Sequence, residues 1–157
     1  MAIELGWGPT YTSSTDDHGV GAIKWDSDGN AYRWVEVVDL DLAVGDVVYP
    51  ASTSTWQVTQ DIAGGSRLTA LVCGVAVVAV DISEAKYAFV QVEGICPDVL
   101  GDGSVAAGEA VVGHIDSGAD GAADAMAAGE EAAVFGYALE ADSGSPTTFA
   151  CQLKGII

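Results

Sequence analysis

The sequence predicts an all-β protein built from small sandwich or barrel modules, and three observations lead to this prediction. Short β-branched and aromatic runs alternate with turn residues at intervals of about 8 to 12 residues. Helical periodicity is almost absent along the 157-residue chain. A set of glycine-centred motifs occurs twice, which indicates an internal duplication.

The composition supports a folded chain and excludes two classes of partner. Half of the residues are hydrophobic, so a formal net charge of −18 does not indicate disorder. Only 5 residues are Lys or Arg, against 23 that are Asp or Glu, which excludes nucleic-acid phosphates and anionic membranes as partners. No apolar run reaches the roughly 18 residues of a membrane span, and the first residues lack the features of a signal peptide. The acidity itself fits a highly soluble protein, a salty habitat or cation binding.

Residues 1–19 are expected to form an extended N-terminal arm. The segment has β propensity, but Pro9 and the Asp16-Asp17 pair interrupt it. Such an arm can pair with a sheet edge, wrap around a neighbour or stay disordered. Trp7 and Tyr11 argue against disorder, because disordered segments contain few aromatic residues.

The next two strand-like runs predict a β-hairpin. The runs 22–25 and 32–38 are separated by Asp-Ser-Asp-Gly-Asn, whose Gly and Asn tolerate the positive φ of a tight turn. The same five residues match the start of a calcium loop, but Ala31 and Val37 replace its glycine and its glutamate. We therefore favour the hairpin, with Trp25 and Trp34 facing each other across it and packing in the core.

The internal repeat is the most informative feature of the sequence. The glycines of the second copy follow those of the first by 63, 62 and 61 residues. The pairs are Gly45 and Gly108, Gly74 and Gly136, and Gly94 and Gly155. This regular offset predicts a first module, with the hairpin, in residues 20–97 and a second in residues 98–157, folded separately or packed as one domain.

The alanine-rich run 121–133 is the one stretch with high helical propensity. Its two glycines enclose only about two helical turns. We therefore expect a loop or, at most, a short helix.

Cysteine and histidine offer no recognisable active site. The spacing of Cys73, Cys96 and Cys151 fits no zinc motif, so we expect buried thiols, with a disulfide of Cys96 left open. His18 and His114 lie apart from any nucleophile motif. The sequence therefore predicts no catalytic residue and no cofactor, and hence no enzyme.

Acidic residues are concentrated where the second module begins. They are Asp98, Asp102, Asp116, Asp120 and Asp124. Close carboxylates can bind Ca²⁺. Because these lie among Gly and Ala, as in solvated loops, we predict no metal site and keep calcium as the alternative.

Strand and turn motifs give the chain a resemblance to a known family. The order Asp-Gly-Asn-x-Tyr-Arg-x-Val, Ala-Val-Gly-Asp-Val-Val-Tyr, Gly-Val-Ala and Tyr-Ala-Phe-Val-Gln-Val-Glu-Gly resembles that of the head decoration proteins of tailed bacteriophages, also called capsid cement proteins. The resemblance implies a non-catalytic β-rich protein on the capsid exterior of the virion. It implies the major capsid protein as a partner, and further copies of the same chain in a homo-oligomer.

For a decoration protein, we predict that three aromatic residues contact neighbouring proteins. Trp7 and Tyr11 of the arm come first, and Trp56 comes second. The four tryptophans of the chain also allow an alternative function, a carbohydrate-binding or adhesion module of a fibre or cell surface, because exposed indoles stack on sugars.

Overall fold

A computed structural model describes residues 7–52, 55–61, 71–114, 120–144 and 147–156. In these ranges the chain forms eleven strands and one short 3₁₀ turn, and no α-helix. The strands are β1 (Thr12–Ser13), β2 (Ile23–Trp25), β3 (Ala31–Val37), β4 (Val47–Pro50), β5 (Gln57–Thr59), β6 (Gly74–Ala76), β7 (Tyr87–Gly101), β8 (Ala110–Gly113), β9 (Ala123–Ala125), β10 (Gly136–Ala138) and β11 (Thr147–Lys154). The 3₁₀ turn is Glu131–Ala133. The predicted all-β fold is therefore confirmed.

The first half of the fold is a closed ring of five strands, which we name barrel 1. Strand β3 pairs in parallel with β5, and β5 pairs antiparallel with β4. Strand β4 pairs with β6, and β6 pairs with the first half of β7. That half of β7 pairs back to β3 and so closes the ring.

The second half, which we name barrel 2, repeats the same ring. The second half of β7 pairs in parallel with β9 and antiparallel with β11. Strands β8 and β10 complete the ring between β9 and β11. The two modules are thus barrels that share one long strand. Residues 97 and 98 lie inside this strand, and the division into domains there stays a prediction.

The repeated glycines occupy corresponding positions in the two barrels. Gly45 and Gly108 have φ values of 94° and 85°, a conformation that favours glycine. The N–H of Gly45 donates to the carbonyl of Ala76 over 2.8 Å, and that of Gly108 donates to Ala138 over 2.8 Å. The sequence repeat is therefore also a repeat of hydrogen bonds.

A close approach of two strands explains the glycine in the middle of each repeat. A Cβ atom on Gly74 would lie 2.9 Å from the carbonyl oxygen of Gln91. A Cβ atom on Gly136 would lie 2.7 Å from the carbonyl oxygen of Gln152. Any side chain there would push apart the strands that close the barrel.

The cysteines are buried free thiols, as predicted. Cys73 packs in the interior of barrel 1, and Cys96 and Cys151 pack in barrel 2. Burial raises the pKa of Cys73 and Cys96 to about 11 and that of Cys151 to about 12.

Two predictions about local structure need correction. The hairpin of β2 and β3 forms, but Trp25 pairs with Ala31 and is 57% exposed, whereas Trp34 is fully buried. The two indoles therefore do not face each other in the core. In the alanine-rich run, residues 123–125 form strand β9, because pairing with β8 outweighs the low β propensity of alanine.

Candidate interaction face

The outer surface of barrel 1 has a row of four side chains that are all buried. Neighbouring strands place Val47, Val75, Gln91 and Tyr32 side by side in register. Each of them is at most 6% exposed. Val47 and Val75 belong to the same apolar cluster as the interior of barrel 2. Barrel 2 therefore covers the Val47 and Val75 end of this row, while Tyr32 packs in the aromatic cluster with Trp7.

The equivalent row of barrel 2 contains two exposed residues and two half-buried ones. Here the register places Ala110, Tyr137, Gln152 and Ile95 side by side. Tyr137 is 49% exposed and Ile95 is 55% exposed. Leu139, two residues beyond Tyr137, lies on the same side and is 51% exposed. We name these five residues the open face.

Charged groups lie beside the open face. Lys154 and Glu93 face each other in register on the two strands that carry Gln152 and Ile95. Glu140 accepts a hydrogen bond from the N–H of Ala150 over 2.9 Å. An apolar centre with a polar margin is typical of protein interfaces.

The turn before strand β4 shows how barrel 1 contacts barrel 2. The carbonyl of Gly45 accepts a hydrogen bond from the N–H of Leu100 over 2.9 Å, and the N–H of Val47 donates to Gly121 over 2.7 Å. Between them Asp46 is buried, which raises the pKa of its carboxyl group to about 6. In the equivalent turn of barrel 2 Glu109 is exposed. The turn that docks in one barrel is therefore free on the surface of the other.

Trp7 and Tyr11, two of the predicted interface residues, pack against their own chain. The Trp7 ring lies 5.8 Å from that of Phe89 and 6.2 Å from that of Tyr32. The Tyr11 ring stacks on Trp34 at 5.8 Å. Both residues are half-buried, and a contact of either with a neighbouring subunit stays a prediction.

The rest of the N-terminal segment is attached to the same surface. Strand β1 pairs antiparallel with Tyr87 and Ala88, so the segment joins a sheet edge, one of the three alternatives above. The Trp34 indole donates to the Asp16 carboxylate over 2.8 Å. The His18 ring packs edge-on against Trp34 at 4.8 Å. Residues 7–19 therefore cover barrel 1 instead of extending from it.

Trp56, the third predicted interface residue, is 39% exposed. The guanidinium group of Arg33 lies 3.9 Å from the centre of its ring, in a cation–π contact. Arg33 is itself 4% exposed, and burial lowers its pKa. One side of the Trp56 ring is thus occupied, and its role at an interface stays a prediction.

The carboxylates proposed for calcium separate into different environments. Asp102 and Asp124 come together, and His114 lies beside them. Asp98 accepts a hydrogen bond from Thr148 over 3.3 Å, and Asp120 is exposed. Asp116 lies outside the described residues.

The turn with the partial calcium motif holds its carboxylate by hydrogen bonds. Asp26 accepts from the N–H groups of Asp28 and Asn30, each over 2.9 Å, and from the Asn30 side chain. The Asn30 side chain lowers the pKa of Asp26. Asp26 thus organises the predicted hairpin turn.

The interface predictions do not include the open face. Aligning the two repeats gives one signal for it, because Tyr137 stands at the position of the buried Val75. A large aromatic residue there is compatible with an exposed position but has no room where the barrels pack. The burial of Val75, however, results from packing between the two barrels, which an alignment of the repeats does not show.

Comparisons with known proteins add no family to these observations. A scan against protein-family models finds no matching family, and a search of curated proteins finds no similar sequence. Within the described ranges, none of the chain's elements is a helix with the length and apolarity that membrane crossing demands.

Proposed function

We propose that the chain is a structural virion protein that decorates and stabilises the outer surface of a phage capsid. The observation that supports this proposal is the open face: a surface that is buried in barrel 1 is exposed in barrel 2. The capsid exterior requires a rigid module with a docking surface and no active site. The resemblance in strand and turn motifs points to the same role.

Burial of the open face supplies part of the driving force for docking. Full burial of a large apolar side chain stabilises a complex by about 1.5–3 kcal/mol, before the cost of association is subtracted. Ile95, Tyr137 and Leu139 each have about half of their surface available for this burial. With a net charge of −18, the partner surface has to be basic or apolar at the contact. The major capsid protein is the partner we propose, with further copies of this chain beside it.

Quantification of purified particles tests the proposed location. We expect the chain in copies proportional to the shell subunits, as a lattice-covering protein requires. Absence of the chain from the particles, or only a few copies per particle, would contradict the proposal.

Cosedimentation with shells that lack the chain tests the docking surface. A Tyr137→Asp substitution places a charge at the centre of the open face and should weaken attachment at least tenfold, the equivalent of about 1.4 kcal/mol. The matched control is Trp25→Asp, because Trp25 is equally exposed but lies on the hairpin of barrel 1. Loss of attachment in the control alone would place the interface on barrel 1.

A glycan-binding module remains the second candidate function, because Trp25 and Trp56 are both exposed. If Trp56→Ala abolishes binding on a glycan array and Tyr137→Asp leaves shell attachment intact, this second function replaces the first.

A further inference from the structure

We propose that Asp102, His114 and Asp124 bind one divalent transition-metal ion such as Zn²⁺. One potential ligand atom from each side chain lies within 4.8 Å of the other two. The Nε2 atom of His114 is 3.5 Å from a carboxylate oxygen of Asp102. That separation is close to the spacing of two ligand atoms on one tetrahedral ion with bonds of about 2.0–2.2 Å.

Strand pairing brings the three residues together from distant parts of the sequence. Asp102 follows β7 and His114 follows β8, while Asp124 lies in β9 between them. The N–H of Asp102 donates to Ala123 over 3.1 Å, and that of His114 donates to Ala122 over 2.9 Å. All three side chains are partly buried, so a bound ion would be held at the end of the barrel by ordered backbone.

Barrel 1 shows that the fold does not need these side chains. In barrel 1 the bond that corresponds to that of Asp102 runs from the N–H of Val38 to the carbonyl of Val58 over 3.0 Å. The bond that corresponds to that of His114 runs from the N–H of Ala51 to the carbonyl of Gln57 over 2.9 Å. The pairing of β4 with β5 places Thr59 where barrel 2 has Asp124. The equivalent positions thus hold Val38, Ala51 and Thr59, none of which is charged. The three metal-ligand side chains are a property of barrel 2 that packing does not explain.

The donor atoms favour a transition metal over calcium. Two carboxylates and one imidazole form a mixed oxygen and nitrogen set, which suits Zn²⁺, Mn²⁺ or Co²⁺. Ca²⁺ takes six to eight oxygen ligands, and a nitrogen donor does not suit it. The histidine therefore favours a transition metal instead of the calcium ion that the acidic residues alone suggested.

A cation would also relieve a local excess of negative charge. The Ser104 hydroxyl lies 2.6 Å from an oxygen of Asp102 and 2.8 Å from an oxygen of Asp124. It has one proton and can donate it to only one of them. A bound ion compensates both carboxylates and joins the ends of β7 and β8 to β9.

Calorimetric titration with Zn²⁺ tests the site in the full-length protein. We expect one ion per chain and, at a hundredfold excess over Kd, a melting temperature raised by about 8 °C. His114→Gln should weaken Zn²⁺ affinity about a hundredfold, because it removes the nitrogen donor. Asp98→Asn is the matched control, since it removes one charge as Asp124→Asn does but lies outside the site.

The possible outcomes separate the site from nonspecific binding by an acidic surface. Equal weakening by Asp98→Asn and Asp124→Asn, or no effect of His114→Gln, would overturn the proposal. So would Ca²⁺ binding with higher affinity than Zn²⁺. If a variant fails to fold, Co²⁺ absorption of the wild-type protein decides: a spectrum without an imidazole-dependent tetrahedral signature contradicts the site. Attachment to capsids has no part in these measurements, so this proposal can fail while the proposed function stands.

Discussion

Barrel 1 and barrel 2 have the same strand order but very different surroundings. Barrel 1 is covered by the N-terminal segment on its aromatic surface and by barrel 2 along the row that contains Val75. Barrel 2 leaves the equivalent row exposed at Tyr137. The molecule therefore carries two copies of one surface, of which one holds the two barrels together and the other remains available.

The largest expected effect comes from placing the same charge at the two equivalent positions. Val75→Asp buries an unpaired carboxylate between the barrels and should lower the free energy of unfolding by about 4 kcal/mol. Tyr137→Asp should change it by no more than about 0.5 kcal/mol, because the side chain is half exposed. Urea unfolding followed by circular dichroism measures both. Equal losses would show that the two rows are equally buried in solution.

The second comparison concerns the two tryptophans of the hairpin. Trp34→Ala removes the centre of the aromatic cluster under the N-terminal segment and should cost about 4 kcal/mol of unfolding free energy. Trp25→Ala should cost about 0.5 kcal/mol, since Trp25 is exposed. Guanidinium unfolding provides the measurement. A small effect of Trp34→Ala would mean that the segment does not cover barrel 1.

The buried carboxyl group of Asp46 predicts that the stability of the protein depends on pH. Burial raises the pKa of Asp46 from 3.8 to about 6, so folding favours the protonated carboxyl group. The protonated carboxyl group contributes fully to the free energy of unfolding below pH 4, and this contribution is lost as the pH rises through 6. Asp46→Asn should therefore be more stable than wild type at pH 7, by roughly 1–2 kcal/mol after screening by solvent, and about equally stable at pH 4.

The control for this effect is Glu109→Gln, the same change in the exposed turn. Because Glu109 is exposed, this change should alter the unfolding free energy by no more than about 0.5 kcal/mol. Chemical unfolding at both pH values measures the two variants together. A stabilisation at pH 7 that is equal in both variants would assign it to net charge instead of to burial.

The smallest effect concerns the thiols, which the two barrels bury alike. Because burial raises the pKa of Cys73, Cys96 and Cys151, a thiol reagent at pH 8 should label none of them in the folded protein. All three should react after denaturation. Rapid labelling of Cys96 and Cys151 alone would indicate that barrel 2 opens more easily than barrel 1.

The sequence predicted the features that local chemistry determines. The nearly constant offset of the glycines identified the repeat, because a positive φ in the turn and a close strand approach both exclude side chains. The turn at Asp26 was predicted for the same reason. These constraints act within a few residues or between adjacent strands, so they leave a clear pattern.

Features that depend on packing between distant segments could not be predicted. Asp46 and Glu109 have equivalent places in the repeat, but Asp46 is buried beside Gly121 of barrel 2, whereas Glu109 is exposed. The run of alanines before Met126 has no strand signal, and β9 exists because β8 pairs with it. His114 meets Asp102 and Asp124 only through the register of three strands.

Footprinting of the chain on intact capsids tests the proposal that the open face of barrel 2 contacts the shell. Hydroxyl-radical oxidation of the free protein should modify Ile95, Tyr137, Leu139 and Trp25. On attachment we expect protection of the first three and unchanged oxidation of Trp25. Protection of Trp25 with continued oxidation of Tyr137 would place the contact on barrel 1 and contradict docking through the open face.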